Sequence, residues 1–466
     1  MYNLWIYSTF VVIETILEEN FIMSDKSIHQ QFYNYLWAYI LVALSGCLGN
    51  VVDGIIVGNL ISADGVSAIN LSKPINQFIF TLHLLINAGA GMLVAYALGK
   101  NDIAQARRFF TRALTLSTGI GLLLTIFGGL IFPDEVARLL CSNEHILPLA
   151  QDYMQVLLIG NPAFIVMWGL STMVGVNGSP KLVSLAVIVD NALNLLLDIV
   201  FIQVFDWGIT GSSAATVVGH LVGIAILLTH WLKPENRGLK LQFGGGNLLD
   251  SWRRIIAQGA PLALASICLT LLLLSANTIV LSTTGRTGIF VFALCMNLLQ
   301  VYNLFLSGTC QTLQSLGAIQ VGKSDEDGLK AVINKGFRFI TVAMVVTCLV
   351  VWIYPEGIAR LFGGKDPAML EQSNHALRVF ALSFIPFCYI YVLMIVYKLY
   401  SHHRMALFIS LALSLTVIPV LWIISRSMPQ AIWYSYLIAY VIEAIIIFAL
   451  HKWRKIEFKL KADSRN

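Results

Sequence analysis

Long apolar runs, each about as long as a bilayer is thick, most strongly limit what this chain can fold into. About twelve segments are near or above the roughly 20 residues that a membrane-crossing helix needs. Hydrophobic residues make up 57% of the 466 residues, whereas charged residues make up only 12%. This composition lies outside the range of water-soluble globular proteins. The sequence therefore predicts an all-α polytopic membrane protein.

The predicted spans form two groups of six, separated by a basic stretch that has the features of a linker. The stretch covers residues 231–258 and contains Lys233-Pro234 and three consecutive glycines from Gly244. We expect spans at about 34–57, 66–98, 112–132, 153–175, 183–205 and 210–230 before it, and at about 259–281, 288–318, 339–354, 377–399, 405–425 and 430–450 after it.

The predicted organisation is a cytoplasmic segment over 1–33, an N-terminal lobe over 34–230, the linker, a C-terminal lobe over 259–450 and a basic tail over 451–466. The first 22 residues lack the basic start and the small-residue cleavage site of a signal peptide. A polar sequence follows Met23, and we hypothesise that translation begins at that methionine.

The two halves share landmarks at a nearly constant offset of about 222 to 224 positions, which indicates an internal duplication. Each half has an even number of predicted spans, so both halves enter the membrane from the same side. Two such lobes around a central cavity form an architecture for alternating access. The matching landmarks are Pro133-Asp134-Glu135 with Pro355-Glu356-Gly357, Gly99-Lys100-Asn101-Asp102 with Gly322-Lys323-Ser324-Asp325, and Pro162 with Pro386.

Lysine and arginine are concentrated in alternate loops, which the positive-inside rule places in the cytoplasm. Both termini are then cytoplasmic, in a protein of the plasma membrane. Nucleic acid is excluded as a partner because no soluble domain carries the basic residues. The basic stretches are Lys100–Arg112, Lys233–Arg254, Lys323–Arg338, Lys398–Arg404 and Lys452–Arg465.

Polar residues interrupt the apolar run between Ser184 and Val204. Asp190, Asn194 and Asp198 recur at four-residue spacing, and Asn191 joins them, so they line one helix face over roughly 12 Å. Carboxylates at membrane depth are costly, which indicates functional groups facing water or a bound cation. The alternative is that these carboxylates reach interfacial water at a helix end.

Four motifs together resemble the multidrug and toxic compound extrusion (MATE) family, and the resemblance runs from about residue 30 to 450. It implies a secondary antiporter that expels cationic amphipathic compounds in exchange for Na⁺ or H⁺. The motifs are Val52-Asp53-Gly54-Ile55-Ile56-Val57-Gly58, Leu98-Gly99-Lys100-Asn101-Asp102, Asn194-Leu195-Leu196-Leu197-Asp198 and the stretch from Gly208 to Thr216.

The resemblance also implies an ion-coupling site formed by Asp53, Asn194, Asp198 and Thr216. The chain departs from the family pattern at Gly211-Ser212-Ser213, where family members have Gly-Ala-Ala, and at Gly49, where some members carry an aromatic residue. Carboxylate, amide and hydroxyl oxygens suit a hard cation such as Na⁺. Two nearby carboxylates can instead hold a proton. We favour Na⁺ with proton competition at Asp53, Asn194 and Asp198, and we expect no resident cofactor or metal.

The second half offers mainly neutral polar groups. Aligning the repeats places Asn277 opposite Asp53 and no acid opposite Asp198. Amides recur near one face of the eighth span, and Glu443 is the one deep acid of this half. The amides are Asn297, Gln300, Gln311 and Gln314.

The second predicted span carries a further polar stripe of Lys73, Asn76, Gln77, His83 and Asn87. Lys73 could neutralise a carboxylate in a cavity, but we favour its extension to the outer headgroups. His83 and His220 could relay protons, although packing between helices with a neighbouring hydroxyl as partner is the favoured interpretation.

Other classes of protein are less consistent with these residues. A lipid-linked oligosaccharide flippase or polysaccharide exporter of related fold is the main alternative, but it would need several basic residues in its cavity. We find no nucleophile or metal motif of an enzyme in the spans, and no repeated selectivity-filter loop of a channel. The scattered cysteines predict neither disulfides nor a zinc site. We expect a monomeric transporter, not an enzyme, that acts on small organic cations.

Overall fold

The computed structural model describes residues 28–60, 63–140, 146–244, 247–361, 367–454 and 458. These residues form helices joined by short connections, and no strand occurs among them. The predicted all-α class is confirmed. The hypothesis about Met23 concerns residues that lie outside the described ranges.

The chain divides into two compact units, the first ending at Gly259 and the second beginning at Ala260. In the first unit, α8 packs against α6 and α7, and α7 packs against α1. Its helices are α1 (Ile28–Leu60), α2 (Ala63–His83), α3 (Gly89–Gly99), α4 (Ile103–Leu124), α5 (Pro133–Leu140), α6 (Leu147–Val176), α7 (Pro180–Ile199) and α8 (Gly208–Leu228), with π-helical turns at Leu84–Ala88, Thr125–Ile131 and Val200–Val204 and 3₁₀ turns at Thr229–Leu232 and Pro234–Gly238.

Helix α9 (Leu248–Thr312) crosses the boundary into the second unit, where α13 packs against α11, α14 and α16. Aromatic rings pack against one another in this core, including Tyr302 and Phe384, whose tilted rings have centroids 4.4 Å apart. The remaining elements are a π-helical turn at Leu313–Gly317, α10 (Ala318–Gly322), α11 (Glu326–Ile353), α12 (Pro355–Leu361), α13 (Pro367–Leu399), α14 (His403–Leu415), α15 (Val417–Ser427), a 3₁₀ turn at Pro429–Tyr434 and α16 (Ser435–Trp453).

Eleven helical segments of the described chain are long and apolar enough to cross a membrane. The predicted spans 259–281 and 288–318 share one helix, α9, and the expected break between them was wrong. The intervening polar residues are tolerated within the helix, since their hydroxyls find partners in carbonyls three or four residues back. Ser282 and Thr283 both donate to the Ile279 carbonyl, at 2.9 and 2.7 Å.

Several helices also begin earlier than predicted, because polar first turns belong to the helix. Helix α4 begins at Ile103 instead of 112, and α11 begins at Glu326 instead of 339. The predicted linker 231–258 likewise overlaps α9, whose first turns contain the ion pair between Asp250 and Arg254. Apolarity marks the part of a helix in hydrocarbon, whereas the cap marks where the helix starts.

The duplication is visible in matching helix caps. Asn101 and Ser324 both adopt left-handed backbone conformations, with φ of 58° and 56°. The next residue in each half, Asp102 or Asp325, caps the following helix by accepting a backbone N–H bond at 2.9 or 2.8 Å. Small polar residues are common both in the left-handed conformation and as N-terminal helix caps. The two halves therefore repeat the same turn in conformation as well as in sequence.

Candidate functional site

Helices α7 and α8 of the first unit bring their polar side chains together in pairs. The Nδ1 atom of His220 lies 3.0 and 2.9 Å from the two carboxylate oxygens of Asp190. One turn along both helices, the Asn194 amide donates to the Thr216 hydroxyl at 3.1 Å. The later residue on α7 meets the earlier residue on α8, so the helices are antiparallel here. We call these four residues the polar ladder.

Glycines on α8 allow the close approach that buries the ladder. A Cβ atom added to Gly219 would lie 2.6 Å from Asp190 Oδ1, and one added to Gly223 would lie 2.6 Å from the Met167 methyl carbon. Asp190, which packs against Gly219, is only 6% exposed, and Asp198 is fully buried. Asn191 and Asn194, on the same face of α7, are half-buried, so neighbouring helices cover this polar face only in part.

The ladder includes two of the predicted ion-coupling residues, and a third lies next to it. The Thr216 hydroxyl, which accepts from Asn194, donates to the Ser212 carbonyl at 3.2 Å. Asp198 follows Asn194 by one turn of α7. Asp53 belongs to α1, but its side chain lies outside the described residues. The described part of the predicted site thus combines a buried carboxylate with an amide and a hydroxyl, all of which carry oxygen.

A second contact joins α7 to α1. The Asn191 amide donates to the Ser45 hydroxyl at 3.1 Å and to the Val187 carbonyl at 2.8 Å. A Cβ atom on Gly49 would lie 2.9 Å from Asn191 Oδ1. An aromatic residue at position 49 would therefore displace Asn191, which explains in steric terms why this position is a glycine here.

The polar stripe of α2 is divided between the interior and the surface. His83 and Asn87 are buried, with Nδ1 of the histidine and Nδ2 of the amide 3.3 Å apart. The His83 ring also lies against Trp168, at 5.3 Å between centroids. Lys73 is exposed near the start of its span. Asn76 and Gln77 are half-buried.

The predicted polar groups of the second unit differ in exposure and in partners. Asn297 and Gln300 are exposed, whereas the Gln311 amide donates to Ser307 on its own helix at 3.2 Å. The side chain of Asn277 lies outside the described residues. Glu443 is fully buried, and the Thr416 side chain is its polar neighbour.

Three residues of interest were misjudged from the sequence. His220 pairs with a carboxylate and His83 with an amide, so the hydroxyl partners expected for both were wrong. Lys398 was counted among the loop cations, but it is 1% exposed in the last turn of α13. The pairing of His220 could have been found from spacing, because Thr216 and His220 repeat the four-residue step of Asp190 and Asn194.

The MatE family model matches residues 38–200 and 261–423, which together cover more than half of the sequence. The chain belongs to the MatE family. Both matched stretches fall where the duplication places the two halves, and the polar ladder of the first half lies within and just beyond the first match. With eleven apolar helices among its described residues, this MatE chain is a multi-pass membrane protein.

Curated relatives of this MatE chain include multidrug export proteins. The multidrug export protein MepA of Staphylococcus aureus is 25% identical over 349 residues, which cover 73% of this chain and 76% of the relative. The protein of the same name from Staphylococcus haemolyticus is 21% identical over 432 residues, covering 92% and 94%.

Solved structures of MATE transporters have the same fold as this chain. A MOP superfamily transporter from Pyrococcus furiosus Vc1 is similar with a TM-score of 0.83 and 18% identity, covering 94% of this chain and 98% of that one. An outward-facing multidrug resistance MATE family transporter has a TM-score of 0.82 and 18% identity, covering 92% and 96%. At these identities the likeness establishes the MatE fold of the chain, while its substrates need a separate argument.

Proposed function

We propose that this protein is a secondary antiporter of the bacterial plasma membrane that exports cationic amphipathic compounds in exchange for Na⁺ or H⁺. The observation that carries the proposal is the buried Asp198 carboxylate one turn from the Asn194–Thr216 hydrogen bond. A carboxylate at membrane depth is costly unless it is neutralised. A small cation that enters down its gradient would supply that neutralisation, and the relatives named as multidrug exporters indicate the substrate class.

The proposed coupling ion is Na⁺, with protons as competitors. Na⁺ prefers oxygen ligands, and Asp198, Asn194 and Thr216 each offer one. The Asn194–Thr216 bond uses the amide nitrogen, so the amide oxygen is the atom that would face the ion. Asp53 is the proposed second carboxylate. Protonation of either acid would remove a negative ligand and weaken Na⁺ binding.

Transport would follow an alternating-access cycle in which the two units change their relative position. Both termini would lie in the cytoplasm, as the distribution of lysine and arginine predicts. Binding of the cation in the first unit would favour one state of the cycle, and binding of the organic substrate would favour the other. Only differential affinity for the two states can drive such exchange.

The test is efflux of a cationic dye from cells, with the Na⁺ and H⁺ gradients collapsed separately by selective ionophores. We expect efflux to stop when the Na⁺ gradient is removed and to continue when only the H⁺ gradient is removed. Loss of efflux only with the H⁺ gradient would reassign the coupling ion. If no cationic dye is exported by well-expressed protein, the antiporter proposal is wrong and a flippase or polysaccharide exporter becomes the better assignment.

A further inference from the structure

The polar ladder consists of two side-chain pairs, which we call rungs. The Asp190–His220 rung lies next to the Asn194–Thr216 rung, which belongs to the proposed ion site. We propose that His220 is a proton-binding site of this protein, held in place by Asp190 and distinct from the ion-coupling residues. This site would bind the proton that competes with Na⁺ in the proposed function. Its effect on transport depends on that function, whereas proton binding itself is inferred from the geometry of the Asp190–His220 pair.

The contact with Asp190 determines which nitrogen of His220 can accept the proton. Nδ1 faces both carboxylate oxygens, within 3.0 Å, so it carries the ring hydrogen of the neutral form. Nε2 then has an open lone pair. This atom is buried and has no hydrogen-bond partner among the described residues. An incoming proton therefore binds Nε2, and the resulting imidazolium keeps its Nδ1 bond to the carboxylate.

The neighbours of the pair leave Asp190 as the group that stabilises a charged ring. From α6, Phe164 presents its ring edge-on to His220 at 5.1 Å, and Met167 packs at Gly223. On α7, the next acid after Asp190 is Asp198, two turns away. On α1, the titratable side chains in this part of the helix are Cys47 and Asp53, and that of Asp53 lies outside the described side chains. With a carboxylate at Nδ1 and no hydrogen-bond partner at Nε2 within the described residues, His220 is the member of this pair that an added proton would bind.

A positive charge on His220 would act electrostatically on the proposed ion site. Its rung is one helical turn, about 5.4 Å of rise, from the Asn194–Thr216 rung. A positive ring at that distance repels a cation held by Asn194 and Asp198. By linkage, a bound cation in turn opposes protonation of His220. Filling one site therefore weakens binding at the other, as competition between Na⁺ and protons requires.

The test is a direct titration of the ring in protein labelled with ¹⁵N-histidine and reconstituted in lipid nanodiscs. The His220→Gln variant identifies the His220 signals by their loss, and Asp190→Asn identifies them by their displacement, so either variant suffices. We expect His220 to pass from neutral to charged as the pH is lowered from 9 to 5. A ring that stays in one charge state throughout, whether neutral or charged, overturns the proposal.

Asp190→Asn tests the role of the carboxylate. We expect the His220 transition to move to lower pH, because the neutral amide no longer favours the charged ring. An unchanged midpoint would show that Asp190 does not hold the site. His230→Gln is the matched control: His230 is also buried, but Asn177 and Asn236 are its partners. Its replacement should leave the His220 signals unaltered.

The effect on the ion site is measured separately, as Na⁺ binding to the purified protein at pH 8 and pH 6. We expect acidification to weaken Na⁺ binding on the order of tenfold more in the wild type than in His220→Gln. Equal pH dependence in both proteins would refute the linkage. If the protein binds no Na⁺ at all, the proposed coupling ion fails while the ring titration still decides the proton site.

Discussion

Gly219 lies so close to Asp190 that a Cβ atom at this glycine would fall 2.6 Å from the carboxylate oxygen and 3.0 Å from the backbone oxygen. The approach lets α7 and α8 bury a carboxylate and a histidine in contact with one another. It also sets the spacing of the next rung, since the same Cβ would contact the Asn194 Cβ at 3.6 Å. One small residue thus controls the geometry of both pairs.

Replacing Gly219 by alanine should therefore separate the helices and weaken both rungs. Overpacking at a tight contact costs about 1–3 kcal/mol, so we expect a lower midpoint of thermal unfolding in detergent, together with weaker Na⁺ binding. Gly119→Ala is the control, because a Cβ there meets no atom within 4 Å. That variant should be at least as stable as the wild type, since alanine favours helix. Equal stability of the two variants would argue against tight packing at Gly219.

Thr216→Val should impair ion coupling with little change of shape. Valine fills the same space but lacks the hydroxyl that accepts from Asn194 and would offer an oxygen to the cation. We expect Na⁺-driven dye efflux to fall about fivefold or more, since a lost hydrogen bond in a buried site costs about 1–3 kcal/mol. Thr216→Ser should retain most of the activity.

Thr115→Val is the control for the loss of a hydroxyl in a membrane helix. Thr115 is exposed, and its hydroxyl bonds to the Arg112 carbonyl of its own helix. Efflux by this variant should match the wild type at equal expression. A similar loss in both variants would mean that the Thr216 hydroxyl has no special role.

The fold could be predicted from the sequence because its main constraints are local and repeated. Hydrocarbon thickness fixes the length of each apolar run, and the caps at Asp102 and Asp325 recur with the duplication. Prediction failed where polar residues belong to a helix. Ser282 and Thr283 looked like a loop, but inside α9 their hydroxyls bond to the helix's own backbone, so they need no other partner.

The partners within the site could not be predicted in the same way. Four-residue spacing placed Asp190 and Asn194 on one face of α7, but it could not say which helix covers that face. That choice depends on where glycines allow close approach, as Gly219 does beside Asp190 and Gly49 does beside Asn191. Such contacts join residues far apart in sequence, so they become visible only when the helices are packed.

Lys398 provides a test of burial in the second unit. Its Nζ atom is buried and has no hydrogen-bond partner within the described residues. A buried cation without a partner is costly, and methionine has a similar length without the charge. We expect Lys398→Met to raise the midpoint of thermal unfolding, corresponding to about 1 kcal/mol or more. Lys240→Met, at an exposed position, should leave the midpoint unchanged. A lower midpoint for Lys398→Met would indicate that the amine has a stabilising partner.

Asp198→Asn should separate folding from coupling at the proposed ion site. The amide keeps the volume of the fully buried side chain but removes the charge that the coupling cation would neutralise. We expect normal insertion and stability with loss of ion-driven efflux, and the same outcome for Asp53→Asn. The control is Asp206→Asn, an exposed residue with φ of 55°, a conformation that asparagine tolerates. Efflux at the wild-type rate in Asp198→Asn would remove this carboxylate from the coupling site, since a permanently neutral side chain cannot exchange one cation for another.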